Sequence, residues 1–174
     1  ENGQGLPQDY SAALHWYRRS AEQGDVDAQF TLGWYYEIGQ SVTQSYVEAL
    51  RWYNASAAQG YSMAQFRAGC FYQEGKGTLP NLKKAVEFYR EAAKQGHPLA
   101  QYRLAECYQR GDGVPQNFGE AINWYRRAAS QQYLPALQKL SECYEGDSQN
   151  PTLSAFWHNA YEKALQATEK VLPF

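Results

Sequence analysis

Ala121-Ile-Asn-Trp124-Tyr125-Arg-Arg-Ala128-Ala129 decides the fold, because the chain writes this phrase four times. Steps of 36 residues back along the sequence give Ala85, Phe88, Tyr89 and Ala93, then Ala49, Trp52, Tyr53 and Ala57, then Ala13, Trp16, Tyr17 and Ala21. A second phrase keeps the same interval. It runs Ala28-Gln29 with Leu32, Gly33 and Tyr36, and returns as Ala64-Gln65 with Gly69 and Tyr72. Its later copies are Ala100-Gln101 with Leu104 and Tyr108, and Ala136 with Leu140 and Tyr144. A fixed period between about 20 and 50 residues marks a stacked-repeat protein. One unit cannot bury its apolar face alone, so neighbours stack and leave an extended surface suited to binding other macromolecules. The period therefore predicts an all-α solenoid.

Both phrases have helical spacing: Ala13, Trp16, Tyr17 and Ala21 share a face, as do Ala28, Leu32, Gly33 and Tyr36. Start signals keep the period. Asp9, Ser45, Asn81 and Asn117 are all good N-caps, and Ser45 with Glu48 and Asn117 with Glu120 have capping-box spacing. Stop signals recur at Gly24, Gly60 and Gly96; Gln132 takes the fourth place, where a looser turn is expected. These signals predict helices over 9–23, 27–38, 45–59, 63–74, 81–95, 98–110, 117–131, 134–145 and 152–171. The small residues Gly33, Gly69, Ala105 and Ser141 are expected to let neighbouring helices approach closely. Trp16, Tyr36, Tyr53, Tyr89, Tyr108 and Tyr125 are expected in the core.

The whole of 1–174 reads as a single repeat domain. An incomplete unit spans 1–24, full units span 25–60, 61–96 and 97–132, and a partial unit with a C-terminal capping helix spans 133–174. Glu1-Asn-Gly3-Gln-Gly5-Leu-Pro7-Gln8-Asp9 aligns with the loop from Arg110 to Asn117. The chain is thus expected to start just after a missing helix, as a fragment of a longer array, with Trp16 and Tyr17 imperfectly covered. In the final helix Phe156, Trp157, Ala160, Tyr161, Ala164, Leu165 and Val171 form one stripe.

A formal charge of −2 and a pI near 5.9 give no basic field to attract nucleic acid or anionic lipid. No apolar run approaches the roughly 20 residues of a membrane helix. A mean hydropathy of −0.70 alongside 16% aromatic residues follows from 15 Tyr, whose rings pack while their hydroxyls find polar partners. Cys70, Cys107 and Cys143 make an odd set with no C-x-x-C pair and read as free thiols. His15, His97 and His158 are scattered, so no metal or other cofactor is implied. The sequence carries no G-x-S-x-G, H-E-x-x-H or P-loop motif. The expectation is a chain that is not an enzyme.

The combined pattern, A-x-x-W-Y-x-x-A-A followed by A-Q-x-x-L-G-x-x-Y and a glycine-rich loop, resembles the Sel1-like repeats, relatives of the tetratricopeptide repeat. It is strongest over Ala13 to Gly39, Ala85 to Gly113 and Ala121 to Ala129, and it covers residues 1–146. The resemblance implies a right-handed superhelix of antiparallel helix pairs and a role as adaptor or scaffold in protein–protein interaction and signalling. The alternative it allows is a regulatory or self-assembling repeat domain of a larger envelope or signalling protein.

In the related tetratricopeptide fold the first helix of each pair lines a concave groove. Transferred here, that geometry nominates Phe30, Trp34, Glu37 and Ile38, then Phe66, Cys70, Gln73 and Glu74. It continues with Tyr102, Glu106, Gln109 and Arg110, and ends with Gln138, Glu142 and Glu145. Phe30, Phe66 and Tyr102 stand 36 apart as an aromatic ladder, and Glu142 and Glu145 make an acidic finish. The expected partner is another protein, presented as an extended peptide or a helix. End-to-end self-association through the N-terminal helix is a further expectation.

Overall fold

The computed structural model describes residues 10–145 and 151–169, and all regular structure among them is helical. In chain order the helices are α1 (Tyr10–Glu22), α2 (Val26–Ile38), α3 (Tyr46–Ala58), α4 (Ser62–Glu74), α5 (Leu82–Lys94), α6 (Pro98–Arg110), α7 (Phe118–Ser130), α8 (Leu134–Tyr144) and α9 (Pro151–Glu169). The aromatic phrase lies on α1, α3, α5 and α7, whose first residues are 36 apart; the Ala-Gln phrase lies on α2, α4, α6 and α8 at the same spacing. The chain is an all-α helical-repeat solenoid.

Local chemistry sets the helix ends. The Ser45 side chain accepts from the Glu48 N–H, Asn81 from Lys84 and Asn117 from Glu120, so each uses an orphan donor of the first turn. Asp25 and His97 cap α2 and α6 in the same way. The N-cap expected at Asp9 lies outside the described residues. After the aromatic helices the backbone turns left-handed, at Gly60 and Gly96 with φ of 90°. Gln132 makes the same turn at φ 60°, and its N–H reaches the Ala129 carbonyl at 2.9 Å, as Gly60 reaches Ala57. The looser turn expected there does not occur; the glutamine adopts the left-handed conformation instead.

By contacts the chain falls into two compact units, Glu1–Phe88 and Tyr89–Phe174, with the boundary inside α5. In the first, Leu32, Tyr53 and Phe71 are fully buried. In the second, Leu104 and Tyr125 hold the positions of Leu32 and Tyr53, and Leu140 is fully buried as well. The glutamine of the Ala-Gln phrase ties consecutive helices together. Gln29 Nε2 donates to the Ala21 carbonyl, Gln65 to Ala57 and Gln101 to Ala93, each in a buried setting. Each of these carbonyls also accepts a turn N–H, from Gly24, Gly60 and Gly96, so the glutamine supplies a second bond to an oxygen at the helix C-terminus. The tyrosine of the same phrase takes a polar partner through its hydroxyl. Tyr36, Tyr72, Tyr108 and Tyr144 accept from Arg18, Asn54, Arg90 and Arg126, each 18 residues earlier.

Three residues expected in the core are not wholly inside. Tyr36 and Tyr108 are half-buried, whereas their copies Tyr72 and Tyr144 are buried with equivalent hydroxyl partners. Trp16 is 63% exposed, whereas Trp52, its copy, is 8% exposed. The cause lies in the neighbours: α3 packs on both α2 and α4, whereas among the described residues α1 packs on α2, the helix that follows it. At the other end α9 packs on α8, with Leu153, Trp157, Ala160, Tyr161 and Ala164 turned toward its core. Phe156 departs from the expected stripe and is 58% exposed. Val171 lies outside the described residues.

Candidate functional site

On α2, Phe30, Trp34 and Ile38 are four residues apart and form one stripe along the helix. Leu32, Gly33 and Tyr35 face the core, so the stripe is the side of α2 left over after packing. Phe30 is half-buried, its ring 5.5 Å from Tyr53 and 5.2 Å from Tyr61. Trp34 and Ile38 are 41% and 44% exposed. The Trp34 ring stands edge-on to Tyr35 at 5.4 Å, which fixes the indole while leaving its outer surface in water.

Glu37, on the same helix, is committed elsewhere. Its carboxylate accepts the Tyr53 hydroxyl at 2.6 Å and pairs with the Arg67 guanidinium. Burial, and then the Glu37 carboxylate, push the Tyr53 hydroxyl well above the ordinary tyrosine range. On α4, Phe66, Cys70 and Gln73 are half-buried, and Glu74 pairs with Lys76 at 2.7 Å.

The second unit repeats the arrangement with other residues. Tyr102 lies 5.4 Å from Tyr125 and 5.5 Å from Tyr133, as Phe30 lies between Tyr53 and Tyr61. Gln109 replaces Glu37 and takes the Tyr125 hydroxyl at 2.8 Å. Glu106 is clasped by Arg103 at 2.9 Å and Arg110 at 3.1 Å, with only 12% of its side chain exposed. On α8, Glu142 is exposed and holds Lys139 at 2.7 Å and Gln138 at 3.0 Å. Glu145 is exposed at the helix end.

Each nominated residue thus has a place, but the nominations split. Phe30, Phe66 and Tyr102 are half-buried, with Phe30 and Tyr102 wedged among other rings. The carboxylates of Glu37, Glu106 and Glu142 already hold cations. Among the nominated apolar residues only Trp34 and Ile38 are exposed. The ring partners Tyr61 and Tyr133 were not foreseen, although they keep the 36-residue spacing, with His97 between them in sequence. Cys70, Cys107 and Cys143 form no disulfide among the described residues. Among the described residues no group of three His, Cys, Asp or Glu side chains could hold a metal ion, and no helix is long and apolar enough to cross a membrane.

A helical repeat with aromatic rungs belongs to the solenoid class, whose stacked units present an extended surface of the kind interaction scaffolds use. The Sel1 repeat family profile matches residues 1–25, 26–61, 62–97 and 98–133, and the chain belongs to that family. Among solved structures it is similar to c5321, a protective antigen of uropathogenic Escherichia coli strains displaying an SLR fold. The two are 33% identical with a TM-score of 0.88 over 93% of this chain and 35% of the antigen, so the chain spans about a third of that relative's length. A Sel1 repeat protein from Oxalobacter formigenes is 32% identical, with a TM-score of 0.85 over 93% of this chain and 68% of the other. The Helicobacter pylori cysteine rich protein B shares the fold at a TM-score of 0.60 and 19% identity, over 80% of this chain and all of the other. No curated protein matched the sequence.

Proposed function

We propose that this chain is a non-catalytic adaptor that binds an extended peptide or a helix of a partner protein along the outward stripes of its Ala-Gln helices. The observation that carries this reading is the exposed pair Trp34 and Ile38, one helical turn apart and flanked by Phe30. Tryptophan is enriched where binding energy concentrates, and Trp34 is held by Tyr35 without being buried by it. The remaining nominated positions, Phe66, Gln73, Tyr102, Glu106, Gln109 and Glu142, lie on the Ala-Gln helices of later repeats. Because Glu37, Glu106 and Glu142 already hold cations, recognition rests on apolar anchors more than on charge. The partner's expected form is a strand or helix presenting bulky apolar side chains at regular spacing.

The test is selection of binders from a displayed peptide library on the intact chain, followed by Kd measurement on Trp34→Ala and Ile38→Ser variants. Selected peptides should share spaced apolar anchors and lose at least tenfold in affinity on Trp34→Ala. Peptides that bind both variants as well as the parent would refute the stripe as the site.

A further inference from the structure

We propose that the edge where the loop between α4 and α5 meets the first turns of α3 and α5 is a second binding surface, and that its occupant is an acidic protein segment carrying apolar side chains. The loop lies against α3 at Gly77, where a β-carbon would stand 2.8 Å from the Val47 nitrogen. Two residues on, Leu79 is 84% exposed, the most of any large hydrophobic residue among those described. Val47 and Leu82 are exposed as well. Aliphatic groups left in water forgo the stabilisation that burial brings, and a cluster of them marks a place of contact.

The repeat itself does not call for these side chains. The first residue of each aromatic helix is apolar, as Tyr10, Tyr46, Leu82 and Phe118, so Leu82 belongs to the shared pattern. Val47 and Leu79 do not. One period on from Val47 stands Lys83, and two periods on stands Gly119. Leu79 corresponds to Thr43 on one side and Pro115 on the other. The fold is built elsewhere without a branched aliphatic side chain at either place.

Charge departs from the repeat at the same edge. Three residues after their caps α3 and α7 carry Glu48 and Glu120, whereas α5 carries Lys84, next to Lys83, with no acid in its first turn. Cations there oppose the helix dipole, which favours acids at this end. Lys84 has a partial return in the Tyr72 ring, 4.3 Å from its ammonium. Lys83 is exposed and forms no ion pair among the described residues. Glu48 and Glu74 already hold Arg51 and Lys76, and Glu87 lies one turn further along α5. Positive charge at the start of α5 thus stands beside exposed aliphatic groups. Carboxylates of a partner would answer both lysines and the helix dipole, while its apolar side chains cover Val47 and Leu79.

This edge shares no residue with the Trp34–Ile38 stripe, so the two surfaces can be tested apart. Peptides selected from a displayed library on the intact chain are measured for Kd on Leu79→Ser, Lys83→Glu and Trp34→Ala variants. One class should combine Asp or Glu with bulky apolar residues and bind more weakly as salt rises. It should lose at least tenfold on Leu79→Ser and on Lys83→Glu, and nothing on Trp34→Ala. Lys83→Gln, which only removes the charge, should give a smaller loss than Lys83→Glu. Lys83→Glu places an acid in the first turn of α5, so its Tm should not fall, which separates lost binding from lost folding. Absence of any peptide sensitive to both Leu79→Ser and Lys83→Glu would overturn the proposal, as would sensitive peptides without acidic residues. Phosphatidylserine vesicles bound by the parent and released by Lys83→Glu would give the edge to a membrane surface instead. A dimer dissolved by Leu79→Ser would give it to a second copy of the chain.

Discussion

Tyr53 lies flat against Gly33: a β-carbon at that glycine would stand 2.8 Å from the tyrosine ring. The ring cannot yield easily, because it is fully buried, touches Phe71 at 5.4 Å and is anchored by Glu37 through its hydroxyl. Helix propensity favours alanine over glycine by up to about 1 kcal/mol, so a methyl brings a gain and a clash together. The third repeat shows that a methyl can be accommodated, since Ala105 is equivalent to Gly33 and faces the fully buried Tyr125. Gly33→Ala is accordingly expected to change stability by less than about 1 kcal/mol. Gly33→Leu has no such precedent and should cost about 3 kcal/mol, the upper range for overpacking. Chemical denaturation of the two variants separates the cases, and equal stabilities would show that the contact is soft.

Trp16 and Trp52 test the same geometry from the other side. They share a phrase, but Trp52 is buried beneath α2 and Trp16 is 63% exposed. Trp52→Ala is expected to cost about 3–5 kcal/mol, as for other buried large aromatics. Trp16→Ala should cost less than about 1 kcal/mol in the same chain, since it empties no cavity. Comparable losses in the two urea midpoints would mean that the α1 face is covered in solution.

The contrast between these two tryptophans also shows what the sequence could and could not reveal. Helix positions were legible because their causes are local: Ser45 and Asn117 cap the residues three places on, and the glycines mark the turns. The phrase alone puts Trp16 in the core, whereas its exposure agrees with the expectation of imperfect cover, because a repeated phrase specifies a side chain and not the neighbour that covers it. The geometry of the related tetratricopeptide fold nominates Phe30, Trp34 and Ile38, which share one stripe of α2, but the commitment of Glu37 depends on Arg67, 30 residues away across a helix contact. Tyr61 and Tyr133 escaped notice because they lie just before their helices, outside both phrases.

His97 links stability to pH. Its Nδ1 accepts the Ala100 N–H at 3.3 Å as the N-cap of α6, and burial holds its pKa below the ordinary histidine value. The folded chain thus favours the neutral ring, the form that can accept this bond. A base whose folded pKa is depressed stabilises the fold above its unfolded pKa of about 6.5, and that contribution is lost as pH falls through the folded value. Unfolding free energy should therefore drop by up to about 1 kcal/mol between pH 7.5 and 5, the usual worth of an N-cap. His97→Asn keeps a capping acceptor without the titration, and its stability difference over this range should be smaller. An unchanged pH slope in that variant would place the dependence on other groups.

Glu37 offers the sharpest comparison, because the protein carries its own control. In the first unit a carboxylate receives the Tyr53 hydroxyl and pairs with Arg67; in the second, the Gln109 amide receives the Tyr125 hydroxyl. Glu37→Gln converts the first arrangement toward the second, keeping an acceptor for Tyr53 while removing the charge that faces Arg67. Arg67 has 35% of its side chain exposed, so water can take over part of its solvation, and the expected cost is about 1 kcal/mol. Glu37→Ala removes acceptor and charge together and leaves a buried tyrosine hydroxyl unpaired. Its expected cost is about 2–3 kcal/mol, the range for losing a hydrogen bond to a charged group. Tyr53→Phe on top of Glu37→Ala should then recover part of that loss, because it deletes the stranded hydroxyl. If the double variant is no more stable than Glu37→Ala, the hydroxyl has found water, and the Tyr53–Glu37 bond is not what holds α3 against α2.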